Sequence, residues 1–191
     1  MAGSVLTQAL LKFTIKDEPG FEEPFILTAG STKWSVASDR KWIVCVRGGG
    51  PFKPAQWPKK DHDNRLAYFT KLLETEPPEE AITVSMGDLI SWSRQRDLTG
   101  IATQITVGSV LGVTLNIQRL QLMLEGLPFR HVVIWDASAE AAMSCLGISA
   151  GGRWKAFLAG FPLEADDEPD VEDFNPASEQ DGFSLAMEMD D

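Results

Sequence analysis

Cysteine is nearly absent from this chain: of 191 residues, only Cys45 and Cys145 carry a thiol. They lie far apart, in the apolar runs "WIVCVRG" and "MSCLGIS", with no C-x-x-C spacing. That excludes a dense disulfide framework and a thiolate metal site, and two buried, reduced thiols are the expectation. Histidine is as scarce, at two residues. His62 stands between Asp61 and Asp63 in "KKDHDN", residue types that suit a metal, but His131 has no acidic or thiol neighbour at ligand spacing. The cluster reads as a solvated lead-in to a helix cap. Long apolar runs are missing too, and "MAGSVLTQALLKFTIKDEPG" lacks the basic n-region and cleavage pattern of a signal peptide. A soluble, cytoplasmic protein with no membrane contact is expected. The glycines of "RGGGPFKP" are followed by a proline-rich loop instead of GK[ST] and a helix, so no phosphate loop is indicated. Without a nucleophile elbow or a visible Ser/Cys–His pairing, the chain is expected not to be an enzyme and to need no cofactor.

Basic residues run out after Lys155. Residues 164–191 hold 12 of the 28 acidic residues and no Lys or Arg, which leaves 17 basic against 16 acidic residues in 1–163. The net charge of −11 therefore belongs to a tail, and the body is near neutral. Two units follow: an α+β domain over 1–163 and a disordered acidic tail over 164–191.

What the body does have is strand and short-helix patterning. "LKFTIK" alternates at period two after a helical turn, and "PFILTAGSTKWSVASDRKWIVCVRGGG" reads as hairpins broken at "AGS" and turned at "SDRK". "HDNRLAYFTKLLETE" has helix spacing through Leu66, Phe69, Leu72 and Leu73, with Asp63 or Asn64 as N-cap. "AITVSM" is a strand leading into a helix striped by Leu89, Ile90 and Trp92, with Arg94 and Arg96 at its polar end. "TQITVGSVLGVTLN" is a hairpin with glycines at 108 and 112. It leads into a helix capped by Asn116, striped by Leu120, Leu122, Met123, Leu124 and Leu127, and ended by Gly126. "HVVIWDA", "SCLGISA" and "RWKAFLAG" close the domain, the last two joined by Gly151 and Gly152. "ITVSMGDLISWSRQ" and "VTLNIQRLQLMLEG" stand in the same strand–turn–helix order, a weak internal repeat or a coincidence of two common units. Most of the six Trp fall in strands and helices as packing residues; Trp57, in a loop near Lys53, Lys59 and Lys60, is the one placed to touch nucleic acid or a partner.

"GVTLNIQRLQLMLEGLPFRHVVIWDASAEAAMSCLGISAGGRWKAFLAGF" resembles the closing half of a bacterial DNA sliding clamp, the polymerase III β-subunit family. Upstream, "WSVASDRKWIVCVRG" is similar to that family's hairpin turning on "ATDG-R-L", matched by Ala37, Ser38, Asp39 and Arg40, and "AITVSMGDLISWSRQ" to its strand and helix. The likeness runs in order over residues 5–163. It implies a single clamp-like module of antiparallel sheets with short helices on one face, the helices lining a pore where Lys and Arg meet phosphates without reading bases. Arg65, Lys71, Arg94, Arg96 and Arg119, with Lys59 and Lys60, are then the DNA-binding candidates; read without the resemblance, they are the solvated face of amphipathic helices. The chain departs from the family in having one module where a clamp subunit has three domains, in lacking the glycine of the turn, in its few basic helix residues and in its acidic tail. A ring would need several copies or a larger partner. The resemblance implies a role in DNA replication or repair, in a cell or in a phage or mobile element, with sequence-independent DNA, a replication protein and a homo-oligomer as partners.

The tail ends in Phe183, Leu185, Met187 and Met189 set among Asp and Glu, a pattern suited to docking in a basic, apolar groove. Three roles stay open for it: recruiting a replication or repair protein, competing with DNA for the chain's own basic surface, and solubility. A protein-interaction or inhibitor module using the tail as a nucleic-acid mimic is the alternative to the clamp reading.

Overall fold

A computed structural model describes residues 9–97, 107–160, 173–174 and 176. The first element among the described residues is a 3-10 turn, Leu10–Phe13, which buries Leu10 and Phe13 and replaces the strand expected of "LKFTIK". Phe13 packs edge-on against Trp42 at 4.9 Å, so local alternation yields to one aromatic anchor. Three antiparallel strands follow as two hairpins: β1 (Phe25–Ala29), β2 (Thr32–Ser38) and β3 (Trp42–Arg47). Between β2 and β3, Asp39 Oδ1 accepts the backbone N–H groups of Lys41 (2.9 Å) and Trp42 (3.0 Å), while Arg40 takes φ 74°. Arg40 thus adopts the left-handed conformation that glycine takes without a steric penalty.

Helix α1 (Lys59–Glu74) starts four to five residues before the predicted cap, with Pro58 as N-cap and Asp63 and Asn64 inside the helix. A proline preset at φ −53° opens the helix there without a side-chain cap. Then come β4 (Ile82–Ser85), α2 (Met86–Asp97), β5 (Val107–Val110), β6 (Val113–Asn116) and α3 (Ile117–Leu124). β7 (His131–Asp136), a short α4 (Ser138–Ala141), β8 (Cys145–Ala150) and β9 (Trp154–Ala159) complete the body. The predicted Asn116 cap is present, its side chain accepting the Arg119 N–H at 2.9 Å. Leu122, predicted as part of α3's stripe, is 36% exposed; Ile117 takes the buried place instead.

One antiparallel sheet runs β1-β2-β3-β9-β8-β7-β4 and a smaller one β10-β5-β6, where β10 is Asp173–Phe174, an α+β arrangement. Alternation along the large sheet divides the core by face. Ala37, Trp42, Val44, Leu146, Ile148 and Leu158 face one way, with Leu89 and Trp92 of α2 and Leu120 and Met123 of α3. Val36, Ile43, Cys45, Trp135 and Phe157 face the other, under Phe69, Leu72 and Leu73 of α1. The two strand–helix units read as a repeat place α2 and α3 side by side, whereas their strands, β4 and β6, enter different sheets. These are the short helices that share a face; the longer α1 covers the opposite one.

β10 (Asp173–Phe174) lies within the stretch read as disordered tail. It pairs in parallel with β5, and Phe174 is 5% exposed in the core. Burial of Phe174 shows that an acidic composition does not stop a single aromatic side chain from being buried.

Candidate nucleic-acid interface

Helices α2 and α3 are held to the sheet by Leu89, Trp92, Ile117, Leu120, Met123 and Leu124, all buried. What they turn to solvent is short and mixed: Asp88, Ser91, Arg94 and Gln95 from α2, Gln118 and Leu122 from α3, and Glu125 just beyond it. Arg94 is exposed; the side chain of Arg96 is outside the described residues. Arg119 does not point freely outward. Its Nη1 lies 3.6 Å from Asp39 Oδ2, and its guanidinium stands 5.3 Å over the Trp42 ring, leaving the side chain 26% exposed. The Asp39 that shapes the β2–β3 turn therefore also holds the one arginine of α3.

The α1 candidates are on the other face of the sheet. Lys59 and Lys60 are exposed in the first turn, and Lys71 is exposed near the helix end, where a cation suits the dipole. Arg65 is tied down, 3.6 Å from Glu18 and 3.7 Å from Asp61, with its guanidinium 5.0 Å over Phe21. The sheet thus separates the seven predicted residues into two groups, Lys59, Lys60, Arg65 and Lys71 against Arg94, Arg96 and Arg119. Trp57 is no base-stacking platform: it is 7% exposed and stacked on Phe69 at 5.4 Å.

Several solved structures share this architecture. The β subunit of the Streptococcus pyogenes DNA polymerase matches with TM-score 0.52 and 11% identity over 84% of this chain and 64% of that one. The DNA polymerase sliding clamp of Bacillus subtilis gives 0.54 and 9% over 85% and 62%, and the DNA polymerase III subunit β of Pseudomonas aeruginosa 0.55 and 11% over 85% and 65%. The fold is that of the bacterial sliding clamps. At such identities the likeness is one of fold, and the chain spans less than two thirds of each clamp's length. No protein-family model matches the sequence, and no curated protein matches it.

Phe183, Leu185, Met187 and Met189 lie outside the described residues. Asp61, His62 and Asp63 occupy the first turns of α1, with His62 Nδ1 3.2 Å from Asp63 Oδ1, and no group of three metal-ligating side chains converges among the described residues. No helix among them is long and apolar enough to cross a membrane. Both cysteines are buried and free. Burial pushes the Cys45 thiol far up, against the nearby Lys155 charge; burial, with Asp136 and Glu140 nearby, pushes Cys145 up to about 12. Both thiols then stay protonated at pH 8, so neither is expected to react with an aromatic disulfide reagent until the protein unfolds. The same shifts set a pH dependence. Unfolded thiols ionise from pH 9.0 upward while the folded ones stay neutral, so stability is expected to hold below pH 9 and to fall between 9 and 12. Urea midpoints at pH 8 and 10, for the native chain and a Cys45→Ala/Cys145→Ala variant, read this out. Equal losses in both would remove the thiols from the account.

Sequence reasoning did not find Lys155. It is 5% exposed on β9, with Nζ donating to Thr75 O (2.7 Å), Leu73 O (3.3 Å) and Glu76 Oε1 (2.8 Å). A cleft of about 470 Å³ opens beside it, but this ammonium is already committed to the end of α1. The only local signal is a lysine at an inward position of an otherwise apolar strand.

Proposed function

We propose that this chain is a non-enzymatic clamp-like module of DNA replication or repair, contacting duplex DNA without sequence preference through the α2–α3 face. The observation that carries the reading is the sliding-clamp fold over 84–85% of the chain, which presents this helix pair on one face of the large sheet. Arg94 and Arg96 make the phosphate contacts, and Arg119 contributes little while Asp39 holds it. Lys59, Lys60 and Lys71 lie across the sheet and do not join this footprint. The tail recruits a replication or repair protein through Phe183, Leu185, Met187 and Met189, and its acids weaken DNA binding by competition. Encircling a duplex requires more than one copy.

Anisotropy of a labelled duplex of about 30 base pairs, titrated over a salt series, tests this. Two phosphate contacts predict weak binding with a log–log salt slope near −2. The shortened chain used for comparison ends at Ser178, which removes the apolar tip but retains Phe174 in the core. It is expected to bind more tightly than the full chain. Arg94→Ala/Arg96→Ala is expected to abolish binding and Lys59→Ala/Lys60→Ala to leave it unchanged.

No binding by either chain at about 25 mM salt would reject the reading. It would favour the second one, an interaction module whose acidic tail mimics nucleic acid in a partner's basic groove. The observation on that side is the exposed face of α2–α3, where Asp88 and Glu125 offset Arg94.

A further inference from the structure

β10 is two residues long, and its pairing with β5 is the one parallel strand pairing among the described strands. Asp173 stands opposite Ser109 and Phe174 opposite Val110. Its hold rests on one ring: Phe174, 5% exposed, meets Trp92 with centroids 5.5 Å apart and planes at 63°. The rest of the chain prepares the seat. At Gly108 in β5, an added Cβ would stand 2.6 Å from Ile117 Cδ1 and 2.9 Å from Trp92 Cη2, so only glycine lets Trp92 lie close against this strand. Val110, fully buried, is the residue paired with Phe174. A strand edge next to an aromatic-lined seat is a template for an added strand: main-chain bonds hold it, and the seat selects its side chain. Twelve residues, 161–172, separate Gly160 from this strand in the sequence, and a chain of that length can span at most roughly 40 Å.

We propose that the β5 edge and Trp92 form a strand-docking site for an extended Asp-Phe segment. Asp173–Phe174 fills it within the chain, and the same strand of a second copy takes it by exchange, linking copies together. Exchange of an identical element is a low-cost route to assembly, because the contact already exists in the single chain. The site does not require DNA binding; where the clamp reading also holds, it gives that reading the means to join copies. At low concentration the tethered strand wins, since its effective concentration is on the order of millimolar.

The experiment uses full-length chains and a fluorescein-labelled peptide of residues 168–178, in the absence of DNA. A full-length Phe174→Ala chain, whose own strand lacks the ring, is expected to bind the peptide at least tenfold more tightly than the native chain does, because the competing strand of the same chain is lost. The peptide carrying the same substitution is expected not to bind. Native protein at concentrations approaching millimolar is expected to sediment with a mass above the monomer. Equal peptide binding by both chains overturns the docking site. So does a Phe174→Ala chain that fails to fold, because the ring is then fixed core and not a ligand. A native chain that stays monomeric at those concentrations overturns the exchange. A failure to bind DNA, by contrast, touches only the clamp reading.

Discussion

Gly147→Ala is expected to lower the unfolding free energy by about 3 kcal/mol, at the upper end of overpacking costs. Gly147 sits in β8, paired with Trp135 of β7 on one side and Phe157 of β9 on the other. A methyl group there would lie 2.2 Å from Trp135 Cε2, 2.5 Å from Cζ2 and 2.7 Å from Cδ2. These are atoms of one rigid ring, so no flexible end can give way. Trp135 is 2% exposed, stands edge-on to Phe157 with centroids 6.0 Å apart, and shares its cluster with Phe69 and Leu72 of α1. Moving the indole therefore disturbs the packing of α1 on the sheet. For a chain of this size the loss corresponds to a fall in Tm of roughly 6–12 °C. The cause is checked by a double-mutant cycle: in a Trp135→Leu background, Gly147→Ala is expected to cost less than about 1 kcal/mol. An equal cost in both backgrounds would mean that the ring is not what the methyl group meets.

That contact also marks where reading the sequence stops. Alternation within "HVVIWDA", "SCLGISA" and "RWKAFLAG" locates three strands, because pleat periodicity is local. Which tryptophan covers which glycine depends on cross-strand register, and nothing in either strand alone states it. The β3–β9 pairing, which joins the two hairpin groups into one sheet, links segments more than a hundred residues apart and has no local signature. The candidate site follows the same division. Arg65 and Arg119 are visible as basic residues on helices, and Asp61, four residues before Arg65, is a local partner, but Glu18 and Asp39, which also restrain them, come from loops distant in the chain. Asp39 is legible as a turn residue because its side chain accepts the N–H groups two and three residues on; its hold on Arg119 is not. Phe174 and Phe183 look alike in an acidic stretch. Phe174 is distinguished by β5 and Trp92, which only the fold brings to it.

Lys155→Met is expected to cost about 3 kcal/mol, although the exchange removes a charge from the interior and keeps most of the stem's packing. The last carbonyls of a helix have no partner within it, and they form the negative end of its dipole. Lys155 Nζ supplies that partner for α1 through Leu73 O, bonds as well to Thr75 O at the C-cap, and stands 5.5 Å over the Trp34 ring. Methionine leaves a buried acceptor at Leu73 without a donor, and charge-assisted bonds of this kind are each worth about 1.5–3 kcal/mol. Glu76 adds little, because its side chain is 78% exposed and water screens it. Glu76→Ala is therefore expected to cost less than about 0.5 kcal/mol, within the range of surface substitutions. Urea midpoints for the two variants, with hydrogen exchange of the Leu72 and Leu73 amides, separate carbonyl capping from an ion pair. Similar losses in both variants would assign the hold to the carboxylate. The effect is expected to reach the other face of the sheet. Residues 75–81 lead from α1 into β4, and β4 leads directly into α2, so freeing the end of α1 loosens the segment that positions Arg94. DNA binding by the chain ending at Ser178 is then expected to weaken in Lys155→Met, even though Lys155 lies on the α1 side and touches no part of the α2–α3 surface.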